Sequence, residues 1–162
     1  MKERVAVFVD GNNFYFLQRD ELKFWIDPSN MLDWIENEFG SIVDAHYYAS
    51  YDASDNKQDN YFKALPHMGY RVVAKEQRDS GRKTSVLADV VADIFCSKDR
   101  YDMAIIISGD ASYASVVERL RTLGKGVKVI SSGGFVGREL REAAGINLLD
   151  FNDYKKEVER VD

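Results

Sequence analysis

Two short runs in this chain, VAVFV (5–9) and MAIII (103–107), are apolar at every position. A strand with one face in water alternates apolar and polar residues, so an unbroken apolar run belongs to a strand covered on both faces. Between such runs the spacing turns helical. In residues 29–39, Met31, Trp34, Ile35 and Phe39 recur at helical intervals. In residues 85–97, Val86, Leu87, Val90, Val91, Ile94 and Phe95 fall on one side. Further helices are expected over 12–22, 55–70, 112–124 and 137–144, and further strands over 41–51, 70–76 and 126–132, with NLLDF after the last helix. Strands alternating with helices imply an α/β fold: a three-layer α/β/α sandwich around a mainly parallel sheet.

In open sheets of this kind, ligands bind beyond the carboxyl ends of the strands, where the winding reverses. Two buried runs end alike, one at Asp10 and the other at Gly109-Asp110. Their carboxylates are expected on one rim of the sheet. Each aspartate also precedes a helix and suits its N-cap. Two carboxylates held close in a cleft repel, and commonly persist because a cation sits between them. Asp89 and Asp93 lie one turn apart on a single helix; Asp89, nearer the helix start, is the better placed to reach the rim.

Ahead of that helix, Lys75, Arg78, Arg82 and Lys83 outnumber Glu76 and Asp79. The surplus is notable in a chain of net charge −5. A basic loop beside a carboxylate site attracts phosphate; elsewhere it is merely solvated. Phe14, Tyr15, Tyr47, Tyr48 and Tyr51 are able to stack bases, although aromatics at such spacings mostly fill cores. His46 and His67 form no zinc pattern, and Cys96, without a base partner, reads as a buried apolar residue. The segment SSGGFVG (131–137) lacks the spacing of a phosphate-binding loop.

The 162 residues suit one domain (1–162), with 152–162 a short C-terminal tail or helix. No apolar run approaches the ~20 residues of a membrane helix. The first run ends at a charge without a cleavage pattern, so it reads as a strand and not a signal peptide. One cysteine provides no disulfide, and the expected compartment is the cytoplasm. Phe24 and Trp25 are expected as exposed aromatics, forming either a local cluster or a homodimer patch.

The blocks VAVFVDGNNFYF, AHYYASYD, LADVVADI, IIISGDASYASVVERLRTLGKGVKVI and RELREAAGINLLDF, in this order, resemble the NYN domains of the LabA-like group, relatives of the PIN-domain nucleases. The resemblance covers about residues 5–151. It implies a PIN-like parallel sandwich with an acidic pocket and a ribonuclease activity dependent on Mg²⁺ or Mn²⁺. By position, Asp10 matches the first acidic residue, Asn13 the asparagine of the opening motif, Asp110 the aspartate of S-G-D, and Asp89 the carboxylate of the central helix.

Two positions depart from the pattern. Ser112 stands where S-G-D-x-D-F has its second aspartate, and Lys83 aligns with the aspartate of K-G-V-D, for which Asp79 or Asp93 are nearby substitutes. The resulting expectation is cleavage of single-stranded or structured RNA. Asp10, Asp110 and Asp89 hold the metal, Asn13 orients water or phosphate, Ser112 bonds a metal water, and Arg78, Arg82 and Lys83 hold the backbone. The alternative is a catalytically impaired module that binds RNA or a protein partner. A phosphatase using Asp10 as nucleophile is a third reading, disfavoured because Asn12 stands where the D-x-D motif of haloacid dehalogenase-like enzymes has its second aspartate.

Overall fold

The computed structural model describes residues 2–78 and 82–161. Its strands are β1 (Arg4–Asp10), β2 (Ser41–Tyr51), β3 (Arg71–Glu76), β4 (Met103–Ile107), β5 (Gly126–Ser131) and β6 (Leu148–Asp150). They form one sheet in the order β3-β2-β1-β4-β5-β6, and every neighbouring pair is parallel. The sixth strand comes from NLLDF; three residues are too few to show a period of two.

The runs without alternation are buried on both faces. Val5, Val7, Val9, Ile105 and Ile107 join one apolar cluster, and Ala6, Phe8, Ala104 and Ile106 the other. The first cluster is covered by α1 (Gly11–Phe16), α2 (Pro28–Phe39), α3 (Asn56–Ala64) and α7 (Lys155–Val158). The second is covered by α4 (Leu87–Cys96), α5 (Ala114–Thr122) and α6 (Arg138–Ala144). These are the three expected layers.

Three local expectations change. The helix over 12–22 is α-helical only to Phe16, and Leu17–Leu22 widens into a π-helical turn closed by Lys23 at φ 60°. The wider turn accommodates Gln18, a buried side chain that donates to the Phe14 carbonyl (3.1 Å) and accepts from the Ile26 amide (2.8 Å). Phe24 is not exposed: it is buried, with the Lys155 ammonium 5.4 Å from its ring. Trp25 does face solvent. Cys96 is exposed too. It follows Ile94 on α4 by two residues, a rotation of about 200° away from the buried stripe of Val90 and Ile94.

The strand order determines where a site can form. The chain winds from β1 outward through β2 to β3, then crosses back to β4 on the other side of β1 and winds outward again. The winding therefore reverses between β1 and β4, which opens a crevice at their carboxyl ends. Asp10 ends β1, and Asp110 follows β4 by three residues.

Candidate functional site

At the carboxyl end of β1, Asp10 is only 5% exposed. Its Oδ1 accepts the Asn13 amide (3.3 Å), capping α1, and its Oδ2 accepts the Tyr113 hydroxyl (2.9 Å). The aspartate is thus both a helix cap and part of the rim. Gly11 makes this close approach possible, because a Cβ there would lie 2.5 Å from the Tyr48 carbonyl oxygen and 2.6 Å from a Tyr47 ring carbon. Across the crevice Asp110 starts the turn Ala111–Tyr113, its Oδ1 accepting the Ser112 amide (2.9 Å). Asn13 closes the gap: its Oδ1 accepts the Gly109 amide (2.8 Å) and ties α1 to the end of β4.

The electrostatics of the pair are unbalanced. Burial pushes the Asp10 carboxyl above the usual carboxylate range, and the neighbouring charge of Asp110 pushes it further. Hydrogen bonds from Tyr113, Asn13 and Asn12 act the other way. Burial and the Asp10 charge raise the Tyr113 phenol, so it remains a proton donor to the carboxylate. Among the described residues, no lysine or arginine forms an ion pair with Asp10 or Asp110.

Beside this pair the basic segment is pinned to the rim. The Asn12 side chain accepts the Ser50 amide (2.9 Å) and donates to the Thr84 carbonyl (2.8 Å), while the Thr84 amide donates to Ser50 Oγ (3.2 Å). Adjacent to Thr84, Lys83 sits half-buried with its ammonium 5.0 Å from the centre of the Tyr15 ring, and desolvation lowers its pKa. Arg78 and Arg82 are exposed, and the Arg78 amide donates to Thr84 Oγ1 (3.4 Å). Ser112 is exposed at the rim.

Among the described residues, Asp89 forms no three-carboxylate metal cluster with Asp10 and Asp110. Its Oδ2 lies 2.5 Å from the Lys75 ammonium of β3, so its charge is balanced within the protein. Asp93 accepts the hydroxyl of buried Tyr48 (2.8 Å). Asp79 lies outside the described residues. Of the aromatics, Phe14, Tyr47 and Tyr48 are buried, Tyr51 is half-buried and Tyr15 is exposed. Tyr113, Asn12 and Ser50 join the site without having stood out in the sequence. Tyr113 did leave one signal, since a tyrosine where the S-G-D-x-D-F block has phenylalanine adds a hydroxyl three residues from Asp110.

The donor set decides what cation fits. Among the described residues, no three histidine, cysteine or carboxylate groups converge as metal ligands. Two neighbouring carboxylates without a balancing protein cation fit one hard divalent ion, which is commonly held by one or two carboxylates, waters and substrate phosphate. They do not fit a pair of ions within ~4 Å, whose charge needs more anionic ligands. A cavity of about 530 Å³ lies at the opposite rim, lined by His46, Arg71, Ser97 and Arg100. It is remote from both carboxylates, and Arg100 there is already paired with Asp44 (2.7 Å).

This geometry is that of an α/β domain with an acidic crevice at its topological switch point. The chain belongs to the NYN domain family, whose sequence profile matches residues 4–150. It is similar to the low amplitude and bright protein LabA of Synechococcus elongatus, with 29% identity over 98% of this chain and 89% of that protein. Its fold is also similar to the crystal structure of a protein of unknown function from Vibrio parahaemolyticus, with a TM-score of 0.80 and 26% identity over 94% of each chain. Among the described residues, no helix is long and apolar enough to cross a membrane.

Proposed function

We propose that this protein is a ribonuclease that hydrolyses RNA phosphodiester bonds with one Mg²⁺ or Mn²⁺ held by Asp10 and Asp110. The observation that carries the reading is the unbalanced pair itself: Asp10 is buried, Asp110 raises its pKa further, and neither has a cationic partner among the described residues. Membership of the NYN family supports the same chemistry. When bound, the cation supplies charge neutralisation at the scissile phosphate and acidifies an attacking water.

The chain's own residues do the remainder. Tyr113 holds the Asp10 carboxylate in one orientation. Asn13, with Oδ1 engaged by Gly109, presents its amide N–H groups to water or to a phosphate oxygen. Ser112 offers a hydroxyl at the mouth, and Arg78, Arg82 and Lys83 draw the polyanionic strand toward the rim against the repulsion of the acidic surface. The test is cleavage of a mixed RNA pool with and without Mn²⁺, compared with Asp10→Asn. Cleavage that persists in EDTA, or in Asp10→Asn, overturns the proposal.

The Lys75–Asp89 ion pair favours a second reading, a module that binds RNA or a protein partner without turnover. Here the family's third carboxylate is spent on structure, and Ser112 adds no charge. Ser112→Asp separates the two: metal-dependent turnover that appears only in this variant supports the impaired module.

A further inference from the structure

A second cavity adjoins the rim on the other face of the sheet. It measures about 370 Å³ and begins at Gly11, the residue after Asp10. Its walls are aromatic: Tyr15 from α1, Trp25 from the segment after the π turn, Tyr47 from β2, and Tyr61 and Phe62 from α3. The other phenylalanine, tyrosine and tryptophan rings are buried or half-buried, yet Tyr15 and Trp25 are 39% and 41% exposed. They lie 6.0 Å apart at 39°. Such exposure is not looseness. Gln18 braces the segment through Ile26, and the Arg160 amide donates to the Trp25 carbonyl (2.7 Å). Two aromatic rings are thus held in water by a backbone fixed on both sides.

The charge of the cavity is opposite to that of the chain. Lys57, Lys83 and Arg160 line it against one carboxylate, Asp55. Asp55 is already committed to capping α3 through the amides of Lys57 and Gln58. The volume lies within the ~300–1,000 Å³ of sites that take small ligands, enough for one nucleotide and too little for a duplex.

We propose that this cavity holds one unpaired nucleotide of the RNA strand, its base stacked on Tyr15 and Trp25 and its phosphate taken by Lys83. The base displaces the Lys83 ammonium from the Tyr15 ring face, and the ammonium turns to the phosphate. A base anchored beside Gly11 places the adjoining phosphodiester near the Asp10–Asp110 crevice. The enzyme then selects a single strand by its shape, and stacking tolerates any base because each has a π face. This inference rests on RNA as the ligand of the rim and names the part of it that is gripped.

The test uses the full-length Asp10→Asn protein in EDTA, where no cleavage occurs, titrated with a single-stranded RNA ten-mer while tryptophan fluorescence is read. Trp34 is buried, so Trp25 is the reporter. Quenching is expected, and Trp25→Phe is expected to abolish it. Tyr15→Ala is expected to weaken binding by about tenfold, the loss of one base–aromatic stack, and Tyr15→Phe to restore it. Lys83→Met is expected to lower the salt slope of binding by about one. Equal affinity for an abasic strand or an RNA duplex overturns the proposal, as does unchanged binding by Tyr15→Ala. Tight binding of a free mononucleotide overturns the strand assignment. Wild-type cleavage with Mn²⁺ is scored separately. Turnover with no stacking signature refutes the nucleotide cavity and leaves the ribonuclease reading intact, whereas stacking without turnover does the reverse.

Discussion

The two halves of the sheet's carboxyl rim treat their carboxylates in opposite ways. On the β2–β3 side, Asp89 is paired with Lys75 and Asp93 accepts the Tyr48 hydroxyl. Asp89 has its charge balanced by a lysine, and Asp93 has a hydroxyl donor, both from within the protein. At the β1–β4 crevice, Asp10 is buried more deeply, faces Asp110, and among the described residues receives only neutral donors. The first arrangement stabilises the fold modestly and leaves the Asp89 charge balanced. The second stores an electrostatic imbalance that a cation or a proton relieves. A burial that raises a carboxyl's proton affinity is tolerated at functional sites because the same imbalance binds ligand.

The largest effect that would break this contrast is expected from Asp10→Asn. Turnover should fall by more than ~100-fold, the upper end for groups that merely orient a metal ligand, while stability at neutral pH rises. The folded Asp10 binds its proton more tightly than the unfolded chain does, so its favourable contribution is present below the ordinary value of 3.8 and is lost as pH rises through the raised folded value. Melting curves of the two proteins should therefore coincide near pH 3 and separate toward pH 7, with Asp10→Asn the more stable. Coincident curves across the range would place Asp10 in a balanced environment like that of Asp89.

Next in size, Tyr113→Phe removes the hydroxyl that Asp10 accepts. About 2 kcal/mol of stability should be lost, as for a hydrogen bond to a charged group. Because that bond lowers the Asp10 pKa, the acid limb of the pH–rate profile should move to higher pH. A profile that stays in place would detach Tyr113 from the chemistry. On the other half of the rim, Lys75→Met should cost under ~1 kcal/mol, since the pair is partly exposed and screened. RNA cleavage should be unchanged. A marked rise in Mn²⁺ affinity in that variant would show that Asp89 is released to the crevice and that the two halves of the rim differ less in their charge balance. Smallest of all, Asn12→Ser should leave the melting temperature within a few degrees while weakening RNA binding, because Asn12 pins the basic segment through Thr84. Equal affinity would make that pinning purely structural.

Part of the acidic site is legible in the order of residues alone. Asp10 and Asp110 each end a buried run, and strand ends of a parallel sheet are where such folds bind ligands. Its place near the start of its helix points Asp89 toward the same rim. Spacing says which residues share a helix face, but not what lies opposite that face. In the folded protein it is Lys75, from a strand fourteen residues earlier. Phe24 and Cys96 depart from expectation for related reasons. Their burial depends on which element packs over them, and local pattern is silent on that.

The amino-acid sequence by itself determined the layered parallel sheet, because an apolar run without alternation is stable only when both faces are covered, and that requirement is local. Only the tertiary structure decided which strands are neighbours. The order β3-β2-β1-β4-β5-β6 sets Asp10 beside Asp110, brings Tyr113 to Asp10 across 103 residues, and joins Asn12 to Thr84 across 72. Contacts between groups so far apart in the chain carry no periodic signature. They are chosen by the packing of the whole domain, and in this protein they separate an unbalanced carboxylate from an ion-paired one.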